Sequence, residues 1–499
     1  MKRVQSTSLN SAKTPLNPLK KLSFLSIIGC ALMLPSAASA SPFEMYGAGG
    51  RASAMAGAQT ASAEGAAAIF YNVGSLAHSE PGVSGGLTVG LNRSRILLMN
   101  RPLGYDIPDL GGYSPAIPSG MTKYERRDTT DVDNLYVLTL GGVTSFGIKD
   151  LRAGLLLAMP TSGYVDANTH FADERERIFS NQLHFTLTDQ RLRRLDLEMG
   201  IAYKVADWIS AGLGATFSPG TVMSTNVYLP NVGDQSDVDL NSQIDSESLW
   251  GLLAGVQVDF SEQLQFGLQY RSEVYFRIHG QNTIRVGNTG GKDTREIVQV
   301  LDWTPSYSPH SVSAGLAWTQ GASKIMLDGR YERWSDYRNN HSKPTNFHDT
   351  ISPRLGYEYS LPGKDDKPGN KLRAGLGWVP SPVPDQTGRT NYVDNDRAMA
   401  SIGASYQLDA FGLPLEIDWA LQLHVLMSRV THKKIKASNP NCGADVDVIC
   451  DEVPDDLINP RTGQPFEGTQ GLQTGNPGFP GFTSGGWMGG VVVEVSWLP

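Results

Sequence analysis

Nucleophilic or metal-dependent catalysis requires histidine, cysteine or acidic side chains at characteristic spacings. The chain contains nine histidines, and none has the spacing of a zinc site. His310 and Ser311 are adjacent, but no separate motif supplies the orienting partner and oxyanion donors that a serine hydrolase needs. The acid pair Asp445 and Asp447 suits weak calcium binding, although solvated loop acids give the same pattern. We therefore expect no catalytic residue, no metal and no cofactor, and predict that the protein is not an enzyme.

Two cysteines, Cys442 and Cys450, lie close together in a stretch rich in Pro, Gly, Asn and Asp. In an oxidising compartment this spacing favours a local disulfide. Two free thiols are the alternative interpretation. A zinc site is disfavoured because no histidine or further cysteine lies nearby at ligand spacing.

The N-terminus has the layout of a secretory signal peptide. Five basic residues accompany an apolar run over residues 22–34, and small residues at 38–40 form a cleavage site. We predict residues 1–40 as the signal peptide. The alternative is lipoprotein processing at Cys30, but the apolar run continues beyond that residue. Both interpretations predict export.

The composition narrows the range of partners. Lys and Arg number 42, and Asp and Glu number 50. Five of the basic residues and none of the acids lie in residues 1–40, so the remaining chain has a formal charge of −13. Nucleic acid is therefore not an expected partner, since phosphate binding needs a basic surface.

Membrane crossing by a helix is not predicted, because the sequence beyond the signal has no run of about 18 apolar residues. The mean hydropathy is −0.25. This value still permits a membrane barrel, since only every second residue of a strand has to be apolar.

Period-2 alternation recurs along the whole chain and predicts amphipathic strands. In the clearest example, residues 415–425, apolar side chains occupy the odd positions and Glu416, Asp418, Gln422 and His424 lie between them. Its length of about eleven residues suits a tilted strand that crosses a bilayer. The pattern predicts fourteen strands, at residues 83–95, 133–145, 150–160, 193–205, 207–218, 248–260, 262–277, 310–319, 323–334, 350–360, 370–380, 397–409, 413–430 and 486–498.

The connections between these predicted strands alternate between long and short. Residues 96–132 form a long connection, 146–149 a short one and 161–192 a long one, and the alternation continues to the very long connection at 431–485. An even strand number with this alternation is typical of outer-membrane barrels, which have short periplasmic turns and long outer loops. The sequence therefore predicts an all-β fold, a 14-stranded antiparallel transmembrane β-barrel over residues 83–499 in the outer membrane of a Gram-negative bacterium.

Residues 41–82, between the signal peptide and the first predicted strand, show no alternation. They are rich in glycine and alanine and also contain Met55, Ile69, Phe70 and Tyr71. Small side chains permit the close backbone packing that a plug inside a barrel lumen needs. A flexible linker is the alternative, but these apolar residues disfavour it.

Three stretches carry a more specific signal. Residues 50–58 read Gly-Arg-Ala-Ser-Ala-Met-Ala-Gly-Ala and are followed by Tyr-Asn at 71–72. Residues 381–385 read Ser-Pro-Val-Pro-Asp, with Asp-Asn-Asp-Arg at 394–397, and residues 267–274 read Gly-Leu-Gln-Tyr-Arg-Ser-Glu-Val. These stretches resemble the N-terminal hatch and two further segments of the FadL/TodX (OmpP1) family of outer-membrane transporters for long-chain fatty acids and hydrocarbons. The likeness runs from about Phe43 to the C-terminus.

The resemblance implies a 14-stranded barrel plugged by the hatch, and a passive route for hydrophobic small molecules. Outer loops capture the ligand, a pocket beside the hatch holds it, and it leaves laterally through the wall when the hatch shifts. A hydrophobic molecule gains about 0.8 kcal/mol per buried CH₂ and needs no water-filled pore. The implied partners are a fatty acid or hydrocarbon and the outer-membrane lipids and lipopolysaccharide, with the protein a monomer.

The resemblance also implies ligand-binding residues. Phe43 is the candidate hatch anchor, Arg397 the candidate contact for a ligand head group, and Asn72 a further hatch contact. The candidates for capture lie in a predicted loop: Met223, Val227, Tyr228 and Leu229. Two alternatives stay open: Arg397 pairs only with Asp394 or Asp396, or the loop residues only pack against a neighbouring loop.

The sequence departs from the family pattern in two places. Residues 72–75 read Asn-Val-Gly-Ser, where the family has an Asn-Pro turn, so the kink that proline fixes is missing. Residues 209–259 contain acids but no Lys, Arg or His, which favours a neutral hydrocarbon over a carboxylate ligand. Two other functions stay open: a water-filled porin for polar solutes, which would need the hatch out of the lumen, and a surface adhesin or barrel enzyme that acts through residues 431–485.

Overall fold

The computed structural model describes residues 42–99, 127–128, 134–161, 184–185, 195–229, 238–286, 295–337, 346–363, 369–384, 392–410, 412–432 and 481–497. These residues belong to one compact unit, Ala37–Pro499. The predicted signal peptide with Cys30, and the cysteine pair Cys442 and Cys450, lie outside the described residues.

Fourteen antiparallel strands, numbered here β1 to β14, form a closed sheet. Each strand pairs with the next along the chain, and β14 pairs with β1 to close the ring. Each strand lies at a position that the alternation predicts, so the 14-stranded barrel is confirmed. The strands are β1 Gly82–Leu98, β2 Leu135–Thr144, β3 Leu151–Pro160, β4 Asp196–Ala206, β5 Ile209–Ser218, β6 Leu249–Asp259, β7 Leu264–Arg271, β8 Ser311–Gln320, β9 Ser323–Glu332, β10 Thr350–Ser360, β11 Lys371–Val379, β12 Arg397–Ala410, β13 Leu413–His432 and β14 Gly481–Trp497.

The strand connections are short at one end of the barrel and long at the other. Residues 145–150 join β2 to β3 and residues 321–322 join β8 to β9, whereas residues 99–134 join β1 to β2. We call the end with short connections the periplasmic end and the other the outer end, following the usual pattern of outer-membrane barrels.

The wall has an apolar outer face. On β2, Tyr136, Leu138 and Leu140 are exposed to the outside, while Val137 and Thr139 are buried inside. Successive residues of a strand point to opposite faces, so this alternation places the apolar side chains toward lipid. Within the described part of the chain, we find no helix with the length and apolar character to cross a membrane.

A second sheet of four strands lies beyond the outer ends of β5 to β8. Its strands are Thr221–Leu229, Val238–Ser246, Val274–Val286 and Arg295–Ser308. The prediction of a loop for Met223, Val227, Tyr228 and Leu229 is therefore wrong, because residues 221–229 form a strand that pairs with residues 238–246. The single strand predicted at 262–277 is also divided, into β7 and the strand that begins at Val274. Both differences from the predicted strands arise from backbone pairing with neighbouring strands. The irregular side-chain pattern of these segments does not reveal that pairing.

Short elements complete the described chain. Before β1 lie α1 Pro42–Tyr46, α2 Gly50–Ala54, α3 Ala68–Tyr71 and the 3-10 turns Gly65–Ala67 and Val73–His78. Elsewhere lie the 3-10 turn Trp334–Asp336 and the two-residue strands Arg127–Asp128, His184–Phe185 and Tyr392–Val393. We call Pro42–His78 the hatch. None of its α-helices exceeds five residues, and its longest 3-10 turn has six, so contacts with the wall, rather than helix propagation, must stabilise it.

Tyr46 of α1 packs directly on the barrel wall. A Cβ atom at Gly90 of β1 or at Gly490 of β14 would lie 2.7 or 2.6 Å from the Tyr46 ring. Only glycine permits so close an approach. The ring also meets the imidazole of His424 edge-on, with centroids 5.8 Å apart. The glycines beside the β1–β14 seam therefore form the recess that seats the start of the hatch.

Arg51 of α2 ties the hatch to the wall through charge. Its Nε donates to Glu358 of β10 at 3.0 Å, and its Nη1 donates to Gln59 at 2.8 Å and to the Ser62 carbonyl at 2.6 Å. Glu358 also accepts from Arg373 of β11 at 2.7 Å. These charged groups are nearly buried, so each one depends on its partners.

We expect Arg51→Met to loosen the hatch while the barrel stays folded. The charge-assisted hydrogen bonds to Glu358 contribute about 1.5–3 kcal/mol, and Glu358 keeps Arg373 as a partner. Amide hydrogen exchange in residues 47–62 should accelerate about ten- to hundredfold, with the strands unaffected. Arg93→Met, which removes an exposed arginine of β1, is the control. Unchanged exchange in residues 47–62 would contradict a role of Arg51 in holding the hatch.

Candidate functional site

Arg397, the predicted head-group contact, begins β12 and points into the barrel. It is 4% exposed, and its guanidinium contacts the sulfur of Met45 in α1. Met399, two residues further along β12, shares the inward face. Arg397 and Met399 therefore lie against the hatch, where the resemblance implies a ligand pocket.

Sheet pairing brings a second arginine to the same face. Arg354 of β10 pairs with Gly377 of β11, Gly377 with Met399, and Met399 with His424 of β13. Paired residues of an antiparallel sheet point to one face, so these residues form an inward row. We call this row, with Arg330 and Arg397, the arginine pocket.

The arginine pocket is closed by the hatch. The cavity between it and the hatch, bounded by α1 and the Ala56–Gly57 turn, has a volume of about 10 Å³. That volume is on the order of what a single water molecule requires. A ligand can therefore enter this pocket only if the hatch moves.

The three arginines of the pocket differ in their partners. Arg330 of β9 has a carboxylate oxygen of Glu332 at 3.2 Å and one of Glu44 in α1 at 3.7 Å. In the described part of the chain, neither Arg354 nor Arg397 has a carboxylate within 4.0 Å. Two of the three positive charges therefore lack a direct counter-ion.

The alternative pairing of Arg397 with Asp394 or Asp396 does not form. Asp396 instead accepts a hydrogen bond from the Ser381 backbone N–H at 2.7 Å. Burial raises the pKa of Asp394 to about 6, although a hydrogen bond from Ser381 and the nearby charge of Arg397 lower it. Asp394 is therefore neutral below about pH 6 and adds a negative charge near Arg397 above it.

Unused hydrogen-bonding groups concentrate in the arginine pocket. Among the described residues, the Nε atoms of Arg330, Arg354 and Arg397 have no hydrogen-bond partner, and neither do the buried hydroxyls of Ser352 and Thr350 on β10. An unsatisfied buried polar group costs about 1–3 kcal/mol. Oxygen atoms of a bound ligand would offset that cost.

Phe43, the predicted hatch anchor, lies in the interior of the hatch. It is 2% exposed, and its ring meets that of Phe70 edge-on with centroids 5.5 Å apart. The guanidinium of Arg271 on β7 lies 4.5 Å from the centroid of the Phe70 ring. Phe43 thus connects α1 to α3 and to the wall, and it also borders the small cavity.

Asn72 holds the hatch turn together. Its amide donates to the Thr60 carbonyl at 2.9 Å and to the Val256 carbonyl of β6 at 3.0 Å, and its side-chain oxygen accepts from the Gly74 N–H at 3.0 Å. The last contact is a side-chain cap that fixes the turn without proline. Asn72 faces β6, six strands from Arg397, so the structure does not bring these two predicted site residues together.

An aromatic cluster lies at the outer ends of β9, β10 and β12, beyond the arginine pocket. The ring centroid of Phe347 lies 5.0 Å from that of Tyr337 and 5.1 Å from that of Tyr392. Tyr307 packs 5.9 Å from Trp334 in the same cluster. The aromatic cluster provides apolar surface that a hydrophobic molecule can contact.

A larger cavity, of about 200 Å³, lies at the periplasmic end between the hatch and the wall. Charged side chains line much of it, including Arg51, Glu64, Glu416, Asp418 and Glu494. This lining favours water over a hydrophobic ligand. In the described ranges no group of three or more His, Cys, Asp or Glu residues could hold a metal ion.

His310 does not form a catalytic pair with Ser311. The Nδ1 atom of His310 lies 2.9 Å from the hydroxyl of Tyr270 and accepts from the Glu273 N–H at 3.2 Å. The imidazole is therefore occupied by residues of the neighbouring strand and its end.

The sequence alone did not identify Arg354, Arg330 and His424 as site residues. Each lies on the polar face of a predicted strand, and in β10 the alternation of Ile351 and Leu355 with Ser352 and Arg354 already marks Arg354 as inward. That signal could have identified inward arginines. It could not show which of them lack a carboxylate, because the partners come from other strands and from the hatch.

A family described as outer membrane protein transport protein (OMPP1/FadL/TodX) matches residues 167–449. A search of curated proteins found no match.

Solved structures share the fold at low sequence identity. A Pseudomonas aeruginosa FadL homologue is 13% identical, with 90% of this chain and 98% of that chain covered and a TM-score of 0.55. The Pseudomonas putida toluene transporter TodX is 13% identical, with 93% and 99% covered and a TM-score of 0.50. A TodX deltaS2S3 mutant, described as a monoaromatic hydrocarbon channel, is 13% identical, with 90% and 99% covered and a TM-score of 0.51. The chain belongs to the OMPP1/FadL/TodX family of outer-membrane transport proteins, whose members are channels rather than enzymes.

Proposed function

We propose that this protein is a passive outer-membrane channel for hydrophobic small molecules that carry an acidic head group, with long-chain fatty acids as the representative class. The observation that supports this most is the pair of inward-facing arginines, half-buried Arg354 and buried Arg397, that have no carboxylate partner among the described residues. The family supplies the coarser function of transport across the outer membrane.

The energetics of buried charge favour an anionic ligand. An arginine taken out of water without a counter-ion is costly. A carboxylate between Arg354 and Arg397 would make charge-assisted hydrogen bonds, which are about twice as strong as neutral ones. The hydroxyls of Ser352 and Thr350 offer further donors on the same wall.

The apolar part of such a ligand also has a place in this arrangement. Met45, Met399 and Phe43 border the cavity, and the aromatic cluster lies beyond it. Methionine side chains adapt to varied apolar shapes, and each buried CH₂ contributes about 0.8 kcal/mol. Charged and apolar surface are thus adjacent, as an amphiphilic ligand requires.

The acidic stretch over residues 209–259 gives weaker support to a neutral ligand than its sequence indicates. In the second sheet, Asp239 pairs with Arg285 and Asp245 with His279. His279 also lies 3.6 Å from Glu247. His279, from a separate strand, thus lies beside two of the acids that the sequence shows without cations nearby. A neutral aromatic hydrocarbon, such as the toluene of the similar transporter TodX, is the alternative outcome of the experiment below.

For the route we propose capture at the outer end, entry to the arginine pocket when the hatch moves, and lateral exit through the wall. Residues 41–82 would form the moving unit. The strand residues Met223, Val227, Tyr228 and Leu229 remain candidates for capture, now on a sheet rather than a loop. A water-filled porin is disfavoured because the hatch lies in the lumen. We expect a monomer surrounded by outer-membrane lipid and lipopolysaccharide.

We expect Arg354→Met and Arg397→Met to weaken binding of dodecanoate about ten- to hundredfold each, because each change removes charge-assisted hydrogen bonds. Binding of 1-dodecanol, which has the same tail and no charge, should change little. The measurement is calorimetric titration of the protein in lipid nanodiscs, and Arg93→Met is the matched control.

Cellular uptake separates the two ligand classes. Cells with and without the protein are given labelled hexadecanoate and labelled toluene. Uptake of hexadecanoate that depends on the protein and on Arg397 supports the acidic class. Uptake of toluene alone would overturn it in favour of a neutral hydrocarbon, and uptake of neither would overturn the transport proposal.

Asp394 should make anion binding depend on pH. Above its pKa of about 6 its charge competes with a bound anion for Arg397, and below that pH the carboxyl is neutral. We therefore expect dodecanesulfonate, which stays ionised, to bind about three- to tenfold more tightly at pH 5 than at pH 7.5. Asp394→Asn should bind equally at both pH values, whereas Asp207→Asn, at an exposed turn, should keep the difference. An unchanged pH dependence in Asp394→Asn would refute the assignment.

A further inference from the structure

Three neighbouring strands, β13, β14 and β1, carry basic side chains and no acid toward their outer ends. Residues 82–98, 420–432 and 481–493 contain no Asp or Glu, although acids outnumber Lys and Arg by 50 to 42 in the whole chain. Arg95 of β1 and His432 of β13 are exposed in this part of the wall. A basic patch on a protein of negative net charge directs anions to one place on its surface.

Arg95 faces outward, away from the lumen. Tyr46 of the hatch packs on Gly90, so the even-numbered residues of β1 face the lumen and the odd-numbered ones face out. Arg95 pairs with Gly485 of β14. A Cβ atom at Gly485 would lie 3.4 Å from the Cα atom of Ser428 on β13 and 3.8 Å from its Cβ atom. Arg95 and Ser428 therefore stand on either side of a glycine floor on the outer face of the wall.

Two tryptophans of β14 mark the height of this glycine floor in the membrane. Trp487 and Trp497 lie ten residues apart on the outward face. At about 3.3 Å per residue and a strand tilt of about 40°, this separation spans about 25 Å along the membrane normal. That is the height of the apolar band, which aromatic girdles border on both sides. Gly485 lies two residues beyond Trp487 toward the outer end, so Arg95 and Ser428 lie at the level of the outer-leaflet head groups.

The guanidinium of Arg95 is available to a ligand. In the part of the chain that the structure describes, no carboxylate lies within 4.0 Å of it. Arg93, two residues nearer the membrane centre, donates instead from Nη1 to the Asn92 carbonyl at 2.7 Å. Arg333, an exposed arginine just beyond the outer end of β9, pairs with Asp336 at 3.0 Å. Arg95 therefore differs from these two exposed arginines, each of which has an acceptor within the chain.

Apolar side chains continue from the glycine floor toward the membrane centre. Leu423 and Val425 of β13 and Val491 of β14 are exposed on the same outward face. Lipid-facing surface of this kind contacts acyl chains. A cation and a hydroxyl at head-group level, next to a surface for acyl chains, suit a lipid with an anionic head group.

We propose that Arg95 and Ser428, on either side of Gly485, bind a phosphate group of the lipid A moiety of lipopolysaccharide in the outer leaflet. Arginine presents paired N–H donors that match phosphate oxygens. The serine hydroxyl donates one further hydrogen bond, and His432 adds a polar side chain nearer the outer surface. The lipid lies against the β1–β14 seam, on the opposite side of the wall from Tyr46. This inference is independent of the proposed function, because the arginine pocket takes no part in it.

The test compares bisphosphorylated lipid A with the same lipid after removal of its phosphates. The protein is placed in phosphatidylcholine nanodiscs with increasing amounts of either lipid, and native mass spectrometry counts the lipid A molecules that stay bound. The wild type should retain the phosphorylated form at least about tenfold more tightly. Arg95→Met should weaken retention of that form about five- to thirtyfold, because the charge-assisted hydrogen bonds are lost.

Further variants separate the site from a general effect of charge. Arg95→Lys keeps the charge without the paired donors and should lie between the wild type and Arg95→Met. Ser428→Ala should weaken retention about two- to fivefold. Arg333→Met is the matched control, because Arg333 is also an exposed arginine near the outer end, and it should stay within about twofold of the wild type. Amide hydrogen exchange of the strands should be unchanged in all four variants, which shows that the barrel is intact.

Three results would overturn the proposal. Equal retention of the phosphorylated and dephosphorylated lipid by the wild type would exclude a phosphate site. Wild-type retention in Arg95→Met would exclude this place on the wall. Displacement of bound lipid A by an equal concentration of inorganic phosphate would show that the site takes the free anion rather than the lipid.

Discussion

The structure depends on hydrogen bonds from the inner wall to the hatch. The α-helices of the hatch have only four or five residues, so many of its backbone groups need partners outside their own helix. The wall supplies them: Gln422 donates to the carbonyls of Tyr46 and Ser53, and Asp328 accepts from the N–H groups of Gln59 and Thr60. Further wall residues that bond the hatch are Gln257, Gln269, Ser401 and Glu494. The polar face of each strand is therefore specific to the plug it holds, and motion of the hatch requires that new partners, such as water or ligand, replace these bonds.

Charge is distributed on this wall in two distinct ways. Toward the periplasmic end, Arg51 of the hatch, Glu358, Arg373 and Asp418 form a chain in which positive and negative groups alternate. Toward the outer end, Arg354 on the same face of β10 has no carboxylate partner among the residues that the structure describes. Glu358, in the network that holds the hatch, and Arg354, in the arginine pocket, thus lie only four positions apart on one strand. In the proposed function, opening of the hatch and binding of an acidic ligand would be physically coupled, because both would occur against β10.

The sequence predicted the fourteen strands well, because lipid on one face and the hatch on the other enforce strict alternation in segments such as 415–425. It predicted Arg397 only through resemblance to the family. It could not predict that Arg354, Gly377, Met399 and His424 form one row, since that row depends on the register of four strands. The strand at 221–229 was missed for the same reason, because its partner lies in another segment. Local pattern determines which residues face inward, whereas sheet register determines which of them meet.

The Ser-Pro-Val-Pro motif at 381–384 shows how a segment that cannot join a sheet is nevertheless fixed. Its prolines lack the N–H groups of a ladder, and side chains take over. Arg429 of β13 donates to the Val383 carbonyl at 2.7 Å and to Ser381 Oγ at 3.2 Å, while Asp396 accepts from the Ser381 N–H at 2.7 Å. These bonds anchor the motif to β12 and β13 and leave its other edge, toward β10, without a regular backbone ladder. The motif is therefore fixed by side-chain hydrogen bonds on the edge toward β12 and β13, while its edge toward β10 carries no regular backbone ladder.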